Sequence, residues 1–315
     1  QSQVKKNLIL TIMGPTGVGK TDLIIELYSQ FPIKIIGVDS VQIYKYLNIG
    51  SGKPSSDLLQ KYPHDLVDII EPTEHYSTAQ FQKDVIKSIK DSFKEEKTPI
   101  LVGGTMMYFH HLVEGISKLP DVSYEIRTEV ENEFKKKGSL EMHNYLKMID
   151  YKSSSNIHFN DSQRIKRAIE VYRSTGKELS MWQEEKKKEV NEIISESNLK
   201  QIALIPESRD FHKEVIADRF NLMIKEGLVE EVEGILNLEG MSGASYSMKS
   251  VGYRQVCEYL AGDYDLDDMI RRSVNSTRQL AKRQMTWINN WNGLIKIDKR
   301  ESASNVVNDL IKKNI

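Results

Sequence analysis

Cysteine is almost absent from this chain of 315 residues: Cys257 stands alone. No intrachain disulfide and no cysteine-built zinc site can form, and a reducing, cytoplasmic setting is expected. Long apolar runs are missing as well. Nothing approaches the roughly 18 uninterrupted apolar residues of a membrane helix, and residues 1–7 lack a basic end followed by an apolar stretch, so a soluble, unexported protein with no membrane partner is expected. Neither sign of charge is in excess. With 44 Lys and Arg against 45 Asp and Glu, the net charge is −1, which gives no global support to nucleic-acid binding and confines any RNA site to local charge. The seven histidines, His64, His75, His110, His111, His143, His158 and His212, show no ligand spacing joined to cysteine. Internal repeats are also missing, and nothing calls for an obligate protein partner.

Hydrophobic residues at 39% and charged residues at 28% support a packed core. The length suits one large α/β domain with a smaller attached unit. Short apolar runs at residues 8–13, 33–38, 66–70 and 99–102 read as strands, with helical spacing over 21–30 and 78–93. Strands alternating with helices imply a parallel sheet covered on both faces. After Pro120 the pattern turns charged and helical over 123–137 and 140–149, with no strand before 201–205. Helices are then expected over 211–236, 251–260 and 266–291. The expected organisation is a core of residues 1–118 and 201–315 interrupted by a helical insertion, 119–200. The charged cluster 183–189 reads as a solvated helix end or connection.

Gly14-Pro15-Thr16-Gly17-Val18-Gly19-Lys20-Thr21 matches G-x-x-x-x-G-K-S/T between a predicted strand and a predicted helix. Glycines turn backbone amides inward, the helix N-terminus attracts phosphate oxygens, Lys20 adds a point charge and Thr21 can ligate Mg2+. The fold class expected is therefore α/β, P-loop NTPase-like. The loop does not name the reaction, because hydrolases, kinases and diphosphate-using transferases all need the same cradle. Asp39 follows the second strand directly, at the sheet edge where the phosphate loop emerges. It reads either as a catalytic carboxylate or as the cap of a turn.

Three more motifs follow in order: Asp39-Ser40-Val41-Gln42-Ile43-Tyr44, Ile49-Gly50-Ser51-Gly52-Lys53-Pro54 and Gly103-Gly104-Thr105-Met106-Met107-Tyr108. With the phosphate loop, these make the sequence resemble the tRNA dimethylallyltransferases, also called isopentenyltransferases, of the bacterial type without a zinc finger. The likeness runs through Arg254 and on to Trp287. It implies transfer of a dimethylallyl group from dimethylallyl diphosphate, with Mg2+, to the N6 amine of the adenosine 3′ to the anticodon in tRNA. Ser51-Gly52 departs from the usual Thr-Ala, and Lys249-Ser250 from the usual Arg-Cys, where a point charge replaces a planar fork.

The resemblance implies roles residue by residue. Asp39 would be the general base, which suits an adenine amine that becomes acidic only as its new N–C bond forms. Thr105 and Arg219 would lie near the diphosphate and the attacked centre. Contacts to the tRNA anticodon stem-loop would come from Asp39, Ser40, Val41 and Gln42, and from Arg127. Gln163, Arg164, Ile165, Lys166 and Arg167 would add a basic helical segment, followed by Lys249, Ser250, Val251, Gly252, Tyr253 and Arg254. The last group is Arg278, Lys282, Arg283, Gln284 and Trp287, within a stretch, 271–283, that has five basic residues and no acidic one. Lysines and arginines suffice to position phosphates.

Other readings compete. A small-molecule P-loop kinase would use Asp39 as base for a substrate hydroxyl and the insertion as a lid. A noncatalytic, NTP-gated RNA-binding protein would leave Asp39 without a purpose. An adenylate isopentenyltransferase, acting on free nucleotide, would not need two basic helices.

Overall fold

The computed structural model describes residues 7–115, 119–185, 190–298 and 300–314. They form two compact units, one of residues up to Val113 together with those from Asn191 onward, the other Glu114–Val190. The first unit opens with β1 (Leu8–Met13), α1 (Lys20–Gln30), β2 (Ile33–Val38), α2 (Ser56–Lys61), β3 (His64–Asp65), α3 (Thr78–Lys94), β4 (Thr98–Gly103) and α4 (Met106–Glu114). The second unit holds α5 (Tyr124–Ile149), α6 (Tyr151–Asn156), α7 (Ser162–Thr175) and α8 (Leu179–Glu185). The chain then returns through α9 (Glu192–Ser195), β5 (Asn198–Leu204), α10 (Arg209–Lys225) and α11 (Leu228–Leu236). After a 3-10 turn, Tyr246–Lys249, come α12 (Tyr253–Leu260), α13 (Leu266–Asn289), β6 (Ile295–Ile297) and α14 (Arg300–Lys312).

Six parallel strands lie in the order β3-β2-β4-β1-β5-β6. All six residues of β1 are buried, as a strand covered on both faces requires. On one face α1 contributes Leu23, Ile24 and Leu27, and α14 contributes Ala303, Val307 and Ile311. The other face carries α3, whose Phe81, Val85 and Ile89 recur every four residues and are at most 1% exposed. Burying each contributes about 1.5–3 kcal/mol. Ser77 starts α3, its hydroxyl accepting from Gln80 N at 3.1 Å. Because the strands are parallel, their carboxyl ends share one edge. Gly103 pairs with both Met13 and Val38, which brings the segments after β1, β2 and β4 side by side. No described helix is long and apolar enough to cross a membrane.

The second unit has its own core of Val122, Val130, Met142, Leu146, Ile165, Ala168, Ile169, Val171 and Leu179. Asp150 is buried within it. Burial alone would raise its carboxyl, but hydrogen bonds from the N–H and hydroxyl of both Ser153 and Ser180 hold it below the ordinary value.

Several expectations need correction. The third strand is His64–Asp65 and not 66–70, because Leu66 (φ 61) and Asp68 (φ 56) are left-handed and break the extended chain. Ile70 keeps a single bridge to Tyr44. The helix expected over 211–236 is split at Gly227, φ 101. Gly138, at φ 80 and ψ 169, kinks α5 between its two expected halves. The fifth strand starts at Asn198, before 201, since its half-buried polar start hides the strand pattern. The helical unit accordingly spans Glu114–Val190 where 119–200 was expected. Residue 118, the expected end of the first core segment, and residues 186–189 of the charged cluster lie outside the described residues. β6 and α14 were not anticipated.

Candidate active site

Gly17 (φ 81) and Gly19 (φ 89) supply the left-handed turns that aim the loop's amides inward ahead of α1. A side chain at Gly14 would put Cβ 2.5 Å from the Leu204 carbonyl. Lys20 Nζ donates to the carbonyls of Gly14 and Pro15, each at 2.7 Å. Burial pulls its pKa down to about 8, with the Asp39 carboxylate working against that and the Arg219 guanidinium adding to it. Those three charges therefore lie within electrostatic reach of one another. His212, on α10, holds the loop from outside, its Nε2 lying 2.7 Å from the Thr16 carbonyl. Since a carbonyl only accepts, that nitrogen carries the proton.

Thr21 is exposed, and its hydroxyl makes no hydrogen bond to a described residue. Among the described residues no three His, Cys, Asp or Glu side chains converge as a metal cage. The donor set thus fits a cation held jointly by the Thr21 hydroxyl and the oxygens of a bound diphosphate, the way Mg2+ is usually bound.

Asp39 leaves β2 and caps the turn that follows. Its Oδ1 accepts from Val41 N at 2.8 Å and Gln42 N at 3.1 Å, while Oδ2 accepts from no described residue. The capping reading of this carboxylate holds, with Oδ1 fixing the turn and Oδ2 left over. Thr105 braces the same turn: its Oγ1 accepts from Ser40 N at 2.9 Å and donates to Ser40 Oγ at 3.4 Å. Glycine is obligatory beside it, because a Cβ on Gly103 would lie 2.0 Å from the Val38 carbonyl.

Arg219 projects from α10. Its guanidinium, largely withdrawn from water, makes no hydrogen bond or ion pair with a described residue. Burial lowers its pKa, and Asp39 and then Glu226 oppose that. A desolvated cation with unspent donors favours an anion. It rests on the loop of residues 48–53. That loop is anchored by Glu231 of α11, whose carboxylate accepts from Asn48 N (3.2 Å), Ile49 N (2.8 Å), Gly50 N (3.4 Å) and the Tyr253 hydroxyl (2.6 Å). Lys53 closes it from below through the Tyr44 carbonyl (2.7 Å), Asn48 Oδ1 (3.1 Å) and Asp68.

The IPP transferase family model matches residues 42–291. A curated tRNA dimethylallyltransferase of Hydrogenovibrio crunogenus is 41% identical over 295 residues, covering 94% of this chain and 90% of that protein. The chain belongs to the IPP transferase family. A full-length tRNA isopentenylpyrophosphate transferase from Bacillus halodurans superposes with a TM-score of 0.68 at 28% identity, over 98% of each chain. A eukaryotic dimethylallyltransferase acting on tRNA gives 0.77 at 23% identity, over 98% of this chain and 80% of that one, a likeness of fold.

In this IPP transferase, Lys20, Thr21, Asp39, Thr105 and Arg219 gather on one unit, at or against one sheet edge. Residues Ser40, Val41 and Gln42 are half-buried beside them. Arg254, Lys249, Lys282 and Arg283 are exposed, and Ser250 and Val251 half-buried. Trp287, 39% exposed, packs its ring 5.1 Å from that of His110. On the helical unit Arg127, Gln163 and Arg164 are exposed. Arg167 is half-buried, its pKa lowered by burial, propped up by Glu170 and lowered again by Arg127. Lys166 is committed to Glu131 at 2.7 Å.

Five residues expected at the RNA are wholly or partly buried. The Ile165 side chain, fully buried, belongs to the helical unit's core. Tyr253 is fully buried with its hydroxyl on Glu231, and Gly252 is buried beside it. Gln284 is 7% exposed and donates to the Gly104 carbonyl at 2.8 Å, bracing the loop after β4. Arg278 is also turned inward, its Nη2 donating to the Lys213 carbonyl at 3.1 Å. Sequence reasoning missed Glu231 and His212. Glu231 sits in an ordinary acidic first turn of a helix, and no spacing in the sequence marks it.

Proposed function

We infer that this chain transfers a dimethylallyl group from dimethylallyl diphosphate to the N6 amine of the adenosine 3′ to the anticodon in tRNA, in a reducing, cytoplasmic setting and without an obligate protein partner. The observation that carries the reading is a phosphate loop sharing its sheet edge with a carboxylate that keeps one oxygen unspent.

The loop amides and Lys20 bind the diphosphate, and Arg219 supplies further donors as the allylic C–O bond breaks and charge grows on the leaving oxygens. Mg2+, held by Thr21 and the phosphates, would neutralise part of that charge. The adenine nitrogen attacks the allylic carbon, the N–C bond forms, and the proton it sheds passes to Asp39 Oδ2. No raised pKa is needed, since the amine turns acidic only as the bond forms, and position supplies the advantage. Thr105 and Oδ1 hold the acceptor in place. The exposed cations of the helical unit, Arg127 and Arg164, and of the first unit, Lys249, Arg254, Lys282 and Arg283, engage RNA phosphates. A kinase is not favoured by the family, and the free carboxylate oxygen does not discriminate against it by itself.

The deciding assay combines purified protein, Mg2+, dimethylallyl diphosphate and unmodified tRNA, with nucleoside analysis of the product. N6-isopentenyladenosine beside the anticodon is expected. Phosphoryl transfer from ATP to a metabolite, with no prenylated nucleoside, overturns the reading.

A further inference from the structure

The motif at residues 49–54 carries no chemistry of its own, yet its geometry ties the two ends of the site together. A Cβ at Gly52 (φ 63) would lie 2.1 Å from Arg219 Nη2 and 3.3 Å from Cζ, so the guanidinium occupies the volume that any larger residue would claim. One residue earlier, the Ser51 carbonyl accepts from Gln42 Nε2 at 3.1 Å, and Gln42 N is one of the two donors to Asp39 Oδ1. Upstream, Gly50 lies so close to the Tyr253 ring that a Cβ would meet Cε2 and Cζ at 2.7 Å. Tyr253 is fixed in turn by Glu231, whose carboxylate also takes three successive backbone N–H groups of the loop. Burial and then the Glu231 charge push the Tyr253 hydroxyl far above the ordinary tyrosine value, so it remains a donor to that carboxylate throughout the working pH range.

We propose that Glu231 and Gly52 are positioning residues for prenyl transfer: Glu231 fixes the loop of residues 48–53, and the loop seats the Arg219 guanidinium at Gly52 while bracing the Asp39 turn through Gln42. The proposal rests on Arg219 acting on the diphosphate. Neither residue touches substrate. The loop sets the distance between the cation that stabilises the leaving group and the carboxylate that accepts the proton.

Gly52→Ala tests the seat. The atom it strikes is the far end of a flexible side chain, but the left-handed backbone at φ 63 also strains an alanine; melting curves report that strain, while the retreat of the guanidinium by about 1 Å can reduce turnover by roughly 10²-fold. Glu231→Gln keeps one acceptor and turns the other into a donor facing loop N–H groups, and is expected to lower both turnover and melting temperature. Each is measured alone and in an Arg219→Ala background, as kcat and KM for dimethylallyl diphosphate, with melting curves alongside. If the seat matters only through the guanidinium, Gly52→Ala lowers the melting temperature in both backgrounds through its φ of 63 but takes nothing further from turnover once Arg219 is gone, whereas a loop misplaced in itself would cost turnover in full. Arg219→Ala that is impaired, with Gly52→Ala additive upon it, overturns the proposal and leaves the Arg219 reading intact. Arg219→Ala with full activity overturns that reading and the proposal together. Should Glu231→Gln fail to fold, the Gly52 pair still decides.

Discussion

Replacing Asp39 by asparagine separates the turn cap from the proposed proton acceptor, because the turn's hydrogen bonds fall on Oδ1 alone. Asparagine Oδ1 can keep both hydrogen bonds from Val41 N and Gln42 N, and its Nδ2 takes the place of Oδ2, where it cannot accept a proton. The turn should therefore stand with little change in stability, whereas Asp39→Ala frees both N–H groups and costs about 0.5–2 kcal/mol. General bases contribute roughly 10² to 10⁴ in rate, about 3–5 kcal/mol of barrier at 1.36 kcal/mol per tenfold. One complication follows from the charge cluster. Asp39 holds up the pKa of Lys20, so losing that carboxylate lowers it further, and the two proteins are compared across a pH series below 8, where the charged form of Lys20 is increasingly favoured. Single-turnover rates at saturating tRNA and donor isolate the chemical step. A loss of about fivefold or less, with both substrates bound, would refute the proton-acceptor role and leave Asp39 as a cap.

Lys20→Ala should weaken donor binding and turnover together, as removal of a charge felt in ground and transition states does; calorimetry showing unchanged donor affinity would remove the loop from the site. In the wild type, bound diphosphate favours the charged form of Lys20, whose pKa in the free protein is about 8. Donor affinity should then be full below pH 8 and decline as pH rises through that value, with proton uptake on binding, measured by calorimetry in buffers of different ionisation enthalpy; a flat profile from pH 7 to about 9.5 contradicts it. Arg164→Ala and Lys282→Ala should each weaken tRNA binding and flatten its salt dependence by about one unit of slope per lost phosphate contact. A wild-type slope in filter binding would return them to ordinary solvated cations.

What the sequence discloses and what it hides divide along a physical line. Local signals survive reading: a glycine-rich turn between an apolar run and an amphipathic helix aims backbone amides ahead of the helix N-terminus, and a carboxylate just past a buried strand surfaces at the sheet's carboxyl edge. Strand β1, helices α1 and α3, and the placement of Asp39 follow from these. Signals overridden by backbone conformation are lost, as with the apolar stretch 66–70, where left-handed Leu66 and Asp68 win over β-branched composition. Tertiary partners are lost most completely. Ile165 and Tyr253 sit in motifs that resemblance assigns to RNA, yet both side chains are buried, Ile165 in the helical unit's core and Tyr253 against Glu231. Glu231 is the sharper case. More than 180 residues separate it from Asn48 and Ile49, the loop amides it gathers, and in sequence it differs in no way from Glu230 beside it. Its weight comes from four donors converging on one carboxylate, and convergence is a property of three-dimensional arrangement alone. The residues proposed to do chemistry answer to spacing along the chain, while those proposed to hold it in register answer to where the chain has already folded.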